Sequence, residues 1–235
     1  DASATMGISP EEDNFEEKLR DLVTWCNTNL PGKEVWVTEF GYDVNGESRQ
    51  IPRSHTLFGQ PGYTALDLQA SWLIRSFMSG AAAKVDRMFV YSMIDAGQAQ
   101  TLYLTSGLVD FNGNKKPSWY YVKTMKDRLS GMVFEGKKES GNPNVWIYKF
   151  KAKGKKPGAY VVWCPTSNGT TVENFVLDFD ATTSSAKLVA MADLEPNGIE
   201  TGLTIQSNSA TFTVSETPVF IIVDNMDDNI IADII

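Results

Sequence analysis

Apolar positions recur at helical spacing near the start of the chain, where Phe15, Leu19, Leu22, Val23 and Cys26 mark one stripe. Ser9-Pro10-Glu11-Glu12 just before it predicts the helix start, with Ser9 as N-cap, Pro10 in the first helical position and Glu12 closing a capping box. Leu30-Pro31-Gly32 predicts its end. The next run, Val35-Trp36-Val37-Thr38, is almost wholly apolar and ends in Glu39-Phe40-Gly41, which predicts a parallel strand covered on both faces. A polar loop from Tyr42 to about Tyr63 leads to a second helix, capped within residues 64–67 and lined by Leu66, Ala70, Leu73, Ile74 and Phe77. Residues 88–93 predict a second buried strand. After the loop from Ile94 to about Lys116, Pro117 opens a third helix carrying Val122, Met125 and Leu129. Helices alternating with buried strands are α/β organisation.

Past residue 130 the period changes from helical to strand-like. Residues 145–150, 159–163, 172–179, 187–191, 202–206 and 210–223 read as short strands between Asn, Gly, Pro and Ser turns, which predicts an antiparallel β-sandwich. The expected organisation is therefore α/β plus all-β: an α/β part over 1–130, a sandwich over 131–223 and an acidic tail over 224–235.

Composition narrows the function. With 42% hydrophobic residues among 235, the chain can bury a sizeable core. Its formal charge of −8 disfavours nucleic acid as a partner. No apolar run approaches the ~20 residues of a membrane span. Cys26 and Cys164 fall in different halves and read as free thiols, and a single histidine, His55, argues against a metal site or a histidine triad. The chain opens on Asp1 with no initiator methionine and no leader-like run, as expected of a mature or cut form. Trp25, Trp72 and Trp119 on helices, Trp146 and Trp163 on sandwich strands and Trp36 on the first strand all read as packing residues.

Glu39 is the outstanding candidate for chemistry. It ends a buried parallel strand, the end at which catalytic groups gather in β/α barrels, and a carboxylate after four apolar residues must be desolvated, paired or functional. A helix-capping or salt-bridging glutamate is the plain alternative. The stretch Lys33-Glu34-Val35-Trp36-Val37-Thr38-Glu39-Phe40-Gly41-Tyr42-Asp43 resembles the seventh barrel strand of clan A retaining glycoside hydrolases, in which a W-x-T-E-x-G strand end presents the nucleophile. Residues 87–95 resemble the eighth strand. Ser106-Gly107-Leu108-Val109-Asp110 followed by Lys116-Pro117-Ser118-Trp119-Tyr120 resembles the passage into the last barrel helix, and residues 213–220 resemble the final strand of the small sandwich that follows such barrels.

The resemblance implies double displacement with Glu39 as nucleophile and a second carboxyl group as acid/base, roughly 5–5.5 Å away. The family's acid/base follows an asparagine. The only related sequence here is Asn45-Gly46-Glu47, in a loop and without the pattern. A complete barrel takes ~250 residues, so the chain is expected to be the C-terminal part of a (β/α)8 barrel, strands seven and eight with their helices, followed by the sandwich. By itself it should be inactive, and the N-terminal portion of the barrel is an expected partner. Tyr42, Asp43, His55, Tyr91 and Asp95 are the candidate substrate-binding residues for an oligo- or polysaccharide. The family needs no cofactor, and its context implies a secreted or periplasmic location. The competing reading is a noncatalytic carbohydrate-binding or structural sandwich attached to a degenerate barrel remnant.

Overall fold

A computed structural model of the chain describes residues 7–45, 48–97, 102–154 and 157–227. It shows a mixed α/β fold. The first part comprises α1 (Phe15–Asn29), β1 (Trp36–Phe40), α2 (Ala65–Ala82), β2 (Arg87–Val90) and α3 (Pro117–Arg128). Eight strands follow: β3 (Met132–Lys138), β4 (Trp146–Ala152), β5 (Gly158–Trp163), β6 (Val172–Asp178), β7 (Ala186–Ala190), β8 (Ile199–Gly202), β9 (Ser209–Val214) and β10 (Val219–Val223). β1 and β2 pair in parallel, β3-β4-β5-β10-β7-β8 form a six-stranded sheet, and β6 pairs with β9.

The helix caps follow local chemistry. Thr64 and Asp67 complete the capping box of α2, and Pro117 occupies the first turn of α3. α1 starts later than its sequence suggests. Ser9 Oγ does accept the Glu12 N–H at 3.3 Å, but residues 10–14 form a separate turn and Asn14, with φ 51°, precedes the helix. That turn delivers Glu11 to Arg75 of α2. Only Leu19 and Val23 of the expected stripe are buried. Leu22 and Trp25 are exposed, while α1 packs mainly against α2 and meets Phe40 of β1 through Phe15.

The six-stranded sheet is covered on both faces, which explains why every residue of β5 is buried. Alternation divides it: Tyr160, Val162 and Cys164 join Ile147, Ile221 and Val223 in a core closed by Phe175, Leu177 and Phe212 of the β6–β9 pair. Ala159, Val161 and Trp163 face the other way with Tyr148, Phe150 and Phe220, against Ile74 and Met78 of α2 and Val122 and Met125 of α3. The helices and the antiparallel sheet thus share one core.

Three expectations change. β3 was not legible, since its burial alternates without any fully buried residue. Residues 210–223 make two strands in different sheets, because β9 pairs with β6 while β10 inserts between β5 and β7. The expected tail is docked through Asp227: Met226 is buried in the core, and Asp224 accepts the backbone N–H groups of Ser184 and Ser185, each at 3.1 Å. The rest of that tail and residues 46, 47, 155 and 156 lie outside the described residues.

β1 departs furthest from its pattern. Val35 is buried and Phe40 packs edge-on to Phe77 of α2 at 5.1 Å, but Trp36, expected to be packed, is 50% exposed and lies against Phe89, itself 46% exposed. One face of the β1–β2 pair is open among the described residues.

Candidate active site at the end of the first strand

Glu39 lies where the β1–β2 register shifts, between Val37 and Phe40. Phe40 packs onto Phe77 of α2, while Glu39 beside it is exposed. Beyond it the two strand ends run very close: the Tyr91 N–H donates to Phe40 O at 2.9 Å, and a Cβ on Gly41 would stand 2.8 Å from Tyr91 O. Only glycine lets the chain leave β1 along this path. Glu39 opens on a cavity of about 290 Å³ whose walls include Asp13, Phe15, Tyr42, Ser76, Tyr91 and Tyr103.

Two of the candidate carboxylates hold the loop beside this cavity. Asp43 is fully buried and accepts the Tyr103 N–H at 2.8 Å, the Thr105 N–H at 3.1 Å, the Thr105 hydroxyl at 3.2 Å and the Ser48 hydroxyl. Asp95 is buried with Lys116, whose Nζ lies 2.7 Å from Asp95 Oδ1 and also donates to Thr105 O at 2.9 Å. Asp95 Oδ1 accepts the Gly107 N–H at 2.8 Å as well. Burial pulls the Lys116 ammonium below its ordinary pKa, against the opposing pull of Asp95. Residues 103–107 are therefore strapped from both sides.

Tyr42 lines the cavity, its hydroxyl 3.5 Å from Ser76 Oγ and its ring edge-on to Trp72. Burial raises its phenol far above the usual range, so it stays protonated. Tyr91, 38% exposed and joined to Ser92 by a cis peptide bond, stands at the same mouth. His55 does not. It is buried at the junction with the sandwich, its Nε2 2.6 Å from Glu216 Oε2 and its ring stacked on Tyr63. The structure thus brings Glu39, Tyr42 and Tyr91 together at the cavity, sets Asp43 and Asp95 behind it, and places His55 elsewhere.

Several residues important here drew no attention as sequence. Gln69 of α2 donates to Tyr42 O at 2.7 Å and accepts the Ser118 hydroxyl at 2.9 Å, linking the mouth to α3. Lys116, marked in the sequence only as the start of the passage into the last helix and with no role, is the counter-ion of Asp95. Tyr103 sits in an unpatterned loop. Among the described residues, no group of three or more His, Cys, Asp or Glu side chains could hold a metal ion, and both cysteines are free. No helix among them is long and apolar enough to cross a membrane.

This fold is shared with glycoside hydrolases. A family 39 glycoside hydrolase from the gut symbiont Bacteroides cellulosilyticus WH2 superposes with a TM-score of 0.65 at 18% identity, over 87% of this chain and 37% of its own. A GH30 endoxylanase from Clostridium papyrosolvens C71 gives 0.55 at 11%, over 88% of this chain and 46% of its own. A family 44 xyloglucanase from Paenibacillus polymyxa gives 0.52 at 12%, over 88% and 35%. The chain spans less than half the length of each. No family model matches the sequence, and neither does any curated protein.

Proposed function

We propose that the chain is the C-terminal part of a retaining β-glycosidase built on a (β/α)8 barrel, with β1 and β2 as the last two barrel strands and the antiparallel sheets as its accessory sandwich. The observation that carries this reading is the exposed Glu39 carboxylate at the C-terminal end of a parallel strand, facing a tyrosine-walled cavity, in a fold similar to glycoside hydrolases. Glu39 attacks the anomeric carbon of a β-linked sugar while an acid/base from the rest of the barrel protonates the departing oxygen. Water then releases the glycosyl ester, with net retention. Tyr42 and Tyr91 contact the sugar, and Asp43 and Asp95 act behind them as positioning residues. The missing barrel strands, on a longer polypeptide that is secreted or periplasmic, cover the open face of β1 and β2. The rival reading of a sugar-binding sandwich is weakened because both faces of the six-stranded sheet are already occupied.

The test is a 2-deoxy-2-fluoro glycoside with a good leaving group, applied to the full-length polypeptide and followed by peptide mass mapping. Label on the tryptic peptide containing Glu39, and loss of turnover in a folded Glu39→Gln variant, are the expected results. Undiminished activity in Glu39→Gln would sink the assignment.

A further inference from the structure

The geometry points to Tyr103 as the stacking platform for a sugar ring adjoining the one that reacts at Glu39, so that the site recognises at least two consecutive sugars. The inference rests on the glycosidase reading above. Tyr103 has φ 65°, in the left-handed region that a bulky side chain seldom adopts without compensation from its surroundings. The compensation is visible. Its N–H is fixed by the buried Asp43 at 2.8 Å and its carbonyl accepts the Ser106 hydroxyl at 3.1 Å. Two residues on, Thr105 is held by Asp43 on one side and by Lys116 on the other. A turn needing only this backbone shape is best served by glycine or asparagine. Here the anchored residue is a tyrosine that remains 45% exposed, on the wall of the cavity that holds Glu39.

Its one ring contact among the described residues suits a ligand. Tyr91 meets Tyr103 edge to face, with centroids 6.2 Å apart and planes at 85°. The pair forms a corner, one wall of which can lie flat against a pyranose while the other borders it. Axial C–H groups on one face of a β-linked pyranose pack on such a ring, as apolar edges pack on aromatic faces elsewhere. A rigid two-torsion side chain on a strapped backbone loses little freedom on binding.

The experiment uses the full-length polypeptide with xylotetraose and cellotetraose, alongside the matching 4-nitrophenyl monoglycosides, comparing wild type, Tyr103→Phe, Tyr103→Ala and Glu39→Gln. Tyr103→Ala should raise KM for the turned-over tetraose by about tenfold with kcat little changed, and leave the monoglycoside within about twofold. Tyr103→Phe should keep wild-type values, since stacking needs the ring and not the hydroxyl. Wild-type behaviour in Tyr103→Ala overturns the inference, and so does an equal loss on both substrates, which damage to the shared site would give. A Phe variant as impaired as Ala overturns it in favour of hydrogen bonding. Each of those results leaves the glycosidase reading intact. That reading fails separately if Glu39→Gln stays active, and the inference then falls with it.

Discussion

His55 and Glu216 stand 161 residues apart in sequence, yet their side chains meet at 2.6 Å, both buried. The Leu57 N–H donates to His55 Nδ1 at 3.1 Å, so the imidazole carries its proton on Nε2 and donates it to Glu216. Glu216 also accepts from the Thr166 hydroxyl and the N–H groups of Asn168 and Gly169, while Ser71 of α2 reaches its carbonyl at 3.2 Å. Through its carboxylate Glu216 thus ties its own loop to the 50s loop and to residues 166–169, and through its carbonyl to α2. Burial opposes its charge, but these donors prevail and hold its pKa below the usual carboxylate value.

Because the folded pKa is depressed, the stabilisation is full above the unfolded pKa and fades as pH falls through the folded one. Glu216→Gln should therefore cost about 1.5–3 kcal/mol at pH 7. The gap between wild type and variant should shrink below about pH 4.3. Urea unfolding of both proteins at pH 7 and at lower pH checks this. A gap independent of pH would show that the Glu216 charge is not what the latch uses.

Arg75 makes a second junction. It is fully buried, with Nε 2.9 and 3.0 Å from the two Glu11 oxygens, and its Nη2 donates to Thr166 O at 3.0 Å, while Trp163 Nε1 donates to Glu11 at 2.9 Å. Removing one partner strands the other's charge, so Arg75→Met should destabilise by about 3–5 kcal/mol. The double variant Arg75→Met/Glu11→Leu should lose clearly less than the sum of the two single changes. Chemical denaturation of the four proteins tests the coupling, and simple additivity would rule it out.

How much of this was legible beforehand follows physical lines. Local signals transferred well: the Thr64–Asp67 cap, Pro117 at a helix start and the apolar runs of β4 and β5 depend on residues close in sequence. Glu39 stood out because a carboxylate ending an apolar run is costly wherever it lies. What sequence could not show was partnership. Nothing near Asp43 announces Thr105, nor anything near His55 announces Glu216, because those contacts exist only after the chain has closed on itself. Trp36 misled for a related reason: a strand pattern reports that a face wants covering, and says nothing of which element covers it.

The strap behind the cavity predicts a separation of binding from chemistry. Lys116→Met leaves Asp95 buried without its counter-ion and should cost about 3–5 kcal/mol. Gly107→Ala places a Cβ 2.4 Å from Asp95 N, so the backbone itself must move. In the full-length polypeptide both changes should weaken oligosaccharide binding more than they slow the chemical step, since they loosen residues 103–107 rather than Glu39. Steady-state kinetics on the tetraose substrates reads this directly. A fall in kcat with unchanged KM would mean the strap acts on the reacting groups instead.

The open face of β1 and β2 gives the last prediction. Trp36 and Phe89 pack on each other at 5.8 Å with Arg87 over the indole, and Met93 and Ile94 extend the apolar surface beyond the strand end. Exposed apolar residues beside a two-stranded sheet invite association. The 235-residue chain alone should therefore self-associate at micromolar concentration, and Trp36→Lys should shift it toward monomer with little loss of stability. If the face is covered by further barrel strands in the longer polypeptide, the same substitution there should act as a buried charge and cost several kcal/mol. Sedimentation of the short chain and denaturation of the long one distinguish the cases. Equal, small effects in both would mean the face stays open, and the barrel reading would lose its strongest structural consequence.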